Sequence, residues 1–188
     1  MGAVGESGMN VFYESLKQSH AASDLPLLRE CYQKFFPDML SMHDHRKDGQ
    51  HQRNGIDRSI VLSNGKCLWI DEKIRGRNRI TKRVYQDIAV EECSSWNSPG
   101  WVIKPLLCDF IAYAIGPLGR CYLLPVQQLQ KAWQDNGAEW KQHYHKIEAN
   151  NGTYTTISWG IPVPILFSAI GNCLRTTFAP VEVQDSCT

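Results

Sequence analysis

The chain has 188 residues, 43% of them hydrophobic and 21% charged, and its 20 Lys and Arg against 19 Asp and Glu leave a formal net charge of +1. That length suits one compact α/β domain over residues 1–188, with apolar content for a proper core and neither internal repeats nor a long low-complexity linker. So balanced a charge excludes a binder driven by bulk charge, so affinity for nucleic acid has to come from a local basic face.

The seven cysteines are odd in number, lack any CxxC pair and follow no signal peptide. They are expected to be reduced thiols in the cytoplasm, with no disulfide framework. The first predicted element is a helix over 24–36. Ser23 or Asp24 can cap it, Pro26 suits its first turn, and Leu25, Leu28, Tyr32, Phe35 and Phe36 recur at helical spacing before Pro37. A polar stretch follows with His43, Asp44, His45, Asp48 and His51. Like His143 and His145 on either side of Tyr144, it lacks the cysteine spacing of a zinc site and reads as exposed surface. Its nearness to the next strand puts Gln50, His51 and Gln52 in position to touch a substrate.

Residues 55–62 and 67–75 read as a β-hairpin around Asn64-Gly65, the strongest short-range hairpin signal. Ile56, Ile60 and Leu62 alternate on one strand and Leu68, Ile70 and Ile74 on the other, and the two sets share a face only across an odd-length turn. Ser63-Asn64-Gly65 with Gly65 left-handed meets that requirement. Under this parity Asp57, Asp71 and Lys73 fall on the opposite face, with the two acids cross-strand neighbours.

Paired carboxylates and an ammonium on neighbouring strands suit phosphodiester hydrolysis. Mg²⁺ or Mn²⁺ takes one or two carboxylates, keeps positions for water and phosphate oxygens, and lowers the pKa of a bound water. Lys73 would position or deprotonate that water or stabilise the transition state. The backbone carbonyl of Glu72 is a candidate further ligand. After the hairpin, Arg75, Arg77, Arg79, Lys82 and Arg83 form a basic run with no acid among them; it reads as a phosphate-binding loop or, alternatively, as a solvated charged loop. Residues 87–93 are expected as the third strand of the sheet, from which Glu91 or Glu92 adds a carboxylate to the metal site.

Asp57, followed across a hairpin by Asp71-Glu72-Lys73, resembles the acid, then acid-any-lysine motif of the PD-(D/E)XK, or restriction-endonuclease-like, nuclease superfamily. Gly55-Ile-Asp-Arg58, Ile70-Asp-Glu-Lys-Ile-Arg75 and Asp87-Ile-Ala-Val-Glu91 look like segments of poorly characterised phage or prophage members. The resemblance implies an αβββαβ core with a central mixed sheet flanked by helices, metal ligands at Asp57 and Asp71, and a catalytic lysine at Lys73. Some relatives add a glutamate from the preceding helix, for which Glu30 is the candidate. One departure is that Ile56, not proline, precedes the first acid. The likeness covers a core of about residues 24–135 and leaves 136–188 as a C-terminal extension.

Further along, residues 108–115 and 121–124 read as a second hairpin buried on both faces, 125–133 as a helix with Val126, Leu129 and Trp133 inward, and 161–170 as a short helix started by its prolines. The last is too short to span a membrane. Trp96, Trp101 and Trp140 flank loops, where they either stack on bases or, as is more usual for Trp, anchor the core. The function expected is metal-dependent hydrolysis of DNA, with RNA not excluded and a homodimer as the means of cutting both strands. The alternative is a non-catalytic, inhibitory protein, possibly phage-encoded, that keeps the nuclease fold to bind nucleic acid or protein.

Overall fold

A computed structural model describes residues 26–77, 81–94, 98–150, 154–171 and 173–182. Helix α1 (Pro26–Phe35) leads into strand β1 (Met39–Asp44), the one-turn helix α2 (Gly49–Arg53), and strands β2 (Arg58–Leu62), β3 (Cys67–Arg75), β4 (Asp87–Cys93), β5 (Phe110–Ile115) and β6 (Arg120–Pro125). Helix α3 (Val126–His143), strands β7 (Lys146–Asn150) and β8 (Thr155–Pro162), helix α4 (Val163–Ile170) and strand β9 (Leu174–Thr177) complete a mixed α/β structure. Among the described residues no helix is long and apolar enough to cross a membrane.

The strands form a six-stranded sheet of order β1-β2-β3-β5-β6-β9 and a three-stranded sheet of order β4-β8-β7. Every pairing is antiparallel except β3 with β5. On one face of the larger sheet, Ile60, Leu62, Ile70, Ala112, Ala114, Cys121 and Leu123 pack under Leu27, Leu28, Cys31 and Tyr32 of α1. On the other, Ile111, Tyr113, Ile115, Tyr122 and Leu124 meet the second sheet and the inner sides of α3 and α4. This partition is what alternation of side chains across a strand requires when both faces are covered.

The predicted hairpins, α1 and α4 are present, and the pair β5–β6 is buried on both faces as expected. Three features differ. β4 has the expected bounds but pairs with β8, not β3. The place beside β3 belongs to β5, in parallel, and a parallel pair needs a crossover connection; among the described residues of that crossover lies a strand and no helix. β1 is the true first strand of the meander, an edge strand whose half-covered pattern gives little alternation to read. α3 runs well past 133, through a glycine whose missing side chain makes room for Trp133, since a Cβ on Gly137 would lie 3.1 Å from the indole.

The β2–β3 loop has three residues, 63–65, closed by Leu62 N–H to Lys66 carbonyl at 2.9 Å, and Gly65 has φ +81°. Nothing lies within 4 Å of a Cβ placed on Gly65, so only backbone strain opposes a side chain there. Gly65→Ala is therefore expected to cost about 1 kcal/mol in urea denaturation, and an unchanged midpoint would contradict the left-handed loop.

Candidate active site

The loop length sets the register that leads to the site. Arg58 pairs with Ile70, Ser59 with Trp69, Ile60 with Leu68 and Val61 with Cys67; just before β2, Asp57 N–H donates to the carbonyl of the same Ile70 at 2.9 Å, which sets Asp57 beside Asp71. Asp57, Asp71 and Lys73 therefore share a face, and Ile60, Leu62 and Ile70 take the other beneath α1. Ile56 departs from that set and packs in the opposite cluster, because it precedes β2 where the chain turns at Gly55, φ +68°.

Lys73 Nζ holds both oxygens of Asp71, at 2.7 Å and 2.6 Å. Asp57 Oδ2 accepts the Glu72 N–H at 2.7 Å, and its Oδ1 accepts Gln52 Nε2 at 2.6 Å. The two carboxylates are themselves in hydrogen-bond contact. Burial drives Asp71 up to about 7, Lys73 opposing and Asp57 adding to the rise. Burial also pushes Asp57 up, but Lys73, the Glu72 N–H and the Gln52 amide outweigh it and leave Asp57 below its ordinary value. Burial alone would lower Lys73; Asp71, Asp57 and Glu91 reverse that and raise it. Lys73 is thus a firm ammonium, suited to orienting a water or stabilising negative charge and not to taking a proton from water.

The other expected metal ligands are placed differently. The Glu72 carboxylate lies on the α1 side: it accepts Tyr32 Oη at 2.8 Å and Arg58 Nε at 3.2 Å, while Arg58 Nη1 reaches Asp44 at 3.0 Å. Only the main chain of Glu72 borders the acids. Glu91, not Glu92, faces the site: burial raises it against the opposing Lys73 and Lys104 charges, whereas Glu92 accepts Lys141 Nζ at 2.7 Å and Trp159 Nε1 at 2.8 Å. Among the described residues no three His, Cys, Asp or Glu side chains converge as a metal cluster; Glu91 acts on the site through the Lys73 charge. Glu30 is exposed on α1, the helix over the opposite face.

Two members of the basic run are engaged within the protein. Arg75 is buried, pairs with the Asp87 carboxylate, donates to the Asp87 carbonyl at 3.0 Å and stacks 3.8 Å over the Tyr85 ring. Arg77 forks onto Glu182 at 2.9 and 3.1 Å. Neither fits the role of a free phosphate contact. Lys82 and Arg83 are exposed; Arg79 and Trp96, like Ser23 and Asp24, lie outside the described residues. Trp101 and Trp140 are core anchors. His143 and His145 are exposed as read, whereas His45 and His51 are half-buried.

The sequence reading missed two supports of the site. Gln52, expected near a substrate, holds Asp57, and no periodicity marks a tie from a one-turn helix to a residue five positions on. The Arg58–Glu72 pair was readable from parity, since each neighbours a site acid and so must face the other way. No protein-family model, curated protein or solved structure matches the chain.

Metal-free native protein keeps a proton at Asp71 that the unfolded chain releases near its ordinary value of about 4, so the native state binds more protons from there up to about 7. Stability contributed by this group must fall as pH rises through that window. In EDTA, the Tm of Asp71→Asn is expected to gain on wild type across it, and parallel curves would refute the assignment. Arg58→Leu strands a buried Glu72 carboxylate and is expected to cost about 3–5 kcal/mol, most of it recovered in Arg58→Leu with Glu72→Leu, as read by denaturant titration.

Proposed function

We propose that this chain is a metal-dependent phosphodiester hydrolase acting on nucleic acid, DNA foremost, centred on Asp57, Asp71 and Lys73. The observation that carries the reading is the contact of the Asp57 and Asp71 carboxylates on neighbouring strands, with the Lys73 ammonium on Asp71. Such a pair needs either a proton or a cation between its oxygens. That donor set fits a hard divalent ion such as Mg²⁺ or Mn²⁺, held by Asp57 and Asp71. A bound ion would clamp a phosphate and lower the pKa of a water.

The chain's own groups do the rest. Gln52 and the Glu72 N–H fix the Asp57 oxygens. Lys73 stays charged and lies where it can stabilise negative charge on a phosphate or orient the attacking water. Further support comes from the order of elements, since helix α1, the antiparallel meander β1-β2-β3 and a parallel neighbour β5 agree with most of an αβββαβ core. β4 stands where that core has its second helix.

A second reading is a non-catalytic binding protein on the same framework. It is favoured by the two-carboxylate limit of the site and by the engagement of Arg75 and Arg77 within the chain. Cleavage of labelled linear, circular, single-stranded and branched DNA and RNA, with Mg²⁺ or Mn²⁺ against EDTA, separates the two. Lys73→Ala is expected to lose about 10²–10³-fold in rate while still binding metal, and Asp71→Ala to lose both. Metal-independent cleavage, or none by folded wild type, would reject the hydrolase.

A further inference from the structure

Three aromatic rings adjoin the acid pair on its own face of the sheet. β1 pairs with β2 so that His43 lies opposite Ser59, and just beyond, His45 N–H donates to the Asp57 carbonyl at 2.8 Å. Ser59 in turn lies opposite Trp69. By alternation His45, Ser59 and Trp69 share the face of Asp57 and Asp71, and Trp69 sits one same-face step, about 7 Å, along β3 from Asp71.

Helix α2 lays His51 against this pair of rings. The His45 and His51 centroids are 4.4 Å apart at 18°, those of His51 and Trp69 5.6 Å at 29°, and those of His45 and Trp69 5.6 Å at 47°. His45 Nε2 is 2.8 Å from Ser59 Oγ, which fixes that ring. His51 Nδ1 lies 2.9 Å from the Asp48 carboxylate, with no hydrogen bond formed at that nitrogen. One short helix thus holds Asp57 through Gln52 and completes the ring cluster through His51. The His51 side chain keeps 30% of its surface exposed.

The rings matter more because two members of the expected phosphate-binding run are taken. With Arg75 and Arg77 paired to Asp87 and Glu182 and a net charge of +1, backbone electrostatics supply less of what a duplex binder needs. Aromatic rings bind a base by its face, and an unpaired base offers one.

We propose that His45, His51 and Trp69 form a stacking platform for an unpaired nucleobase beside the phosphodiester at Asp57 and Asp71. The substrate is then single-stranded or locally unpaired nucleic acid. This rests on the hydrolase reading for the position of the phosphodiester, and it is tested by binding without turnover. In EDTA, the anisotropy of a labelled single-stranded oligonucleotide, as DNA and as RNA, is compared with that of the blunt duplex, using the full chain.

Wild type is expected to prefer at least one single strand over duplex, with a shallow salt dependence. His51→Ala, on a surface helix, is expected to weaken that binding about 5- to 150-fold with its Tm unchanged. Trp69→Phe, which keeps a ring and the packing, is expected to bind nearly as wild type. A preference for DNA or for RNA alone also supports the platform and identifies the sugar. Equal affinity for duplex, no single-strand binding, or undiminished binding by folded His51→Ala would overturn it. Cleavage with Mg²⁺ is run in parallel. Metal-dependent cleavage without single-strand preference removes the platform and leaves the hydrolase, and single-strand binding sensitive to His51→Ala without cleavage does the reverse.

Discussion

Two carboxylates held in contact inside a protein repel each other, and the neighbourhood of Asp57 and Asp71 is arranged around that repulsion. Asp71 is only 5% exposed, so water cannot screen it, and two like charges that close cannot both ionise freely. Lys73 offsets the charge on Asp71 with both oxygens engaged. Asp57 is held by an amide and a main-chain N–H, donors that favour its charged form. The asymmetry separates the two acids, one ionised below its usual range and the other protonated near neutrality. A pair so divided is poised to exchange its proton for a cation.

β3 carries this burden on both faces. Asp71 and Lys73 look toward the second sheet, whereas Glu72, between them, looks toward α1 and is met there by Tyr32 and Arg58. Charges taken out of water cost more than a single ion pair returns, and each charged group of β3 has a partner on its own side, with only Oε1 of Glu72 engaged. The same economy places the second sheet. β4 lies across the site because Arg75 takes Asp87, Tyr113 Oη accepts the Ala89 N–H at 3.0 Å, and Lys73 attracts Glu91. The strand read from sequence as a sheet neighbour of β3 is thus a cover over it.

Legibility followed the range of the interactions. The β2–β3 register could be read because alternation and Asn64-Gly65 are local, and they required the parity that brings Asp57 to Asp71. The partners of the basic run could not be read in that way. Arg75 finds Asp87 12 positions on, and Arg77 finds Glu182 105 positions on, so two charges that look free in sequence are matched only by the fold. β1 escaped for a related reason: its strand character comes from β2, and its own pattern is that of a half-covered edge. Gln52 and the rings of His45, His51 and Trp69 were likewise invisible, since nothing in a polar stretch announces that a single helical turn will fold back over a strand.

The charges at the site constrain what it can bind. With Asp71 protonated, Asp57, Asp71 and Lys73 sum to zero, and once Asp71 ionises the sum is negative. Glu91 nearby can only add to the negative side. A phosphodiester is an anion and would be neither attracted by the first state nor tolerated by the second. Lys73 cannot change this, because its ammonium is already committed to Asp71. A phosphate therefore belongs at these acids only together with a cation that reverses the local sign, and a neutral group such as a base face belongs beside them without one. The metal dependence of the proposed chemistry and the place of a base beside it follow from the same local charge.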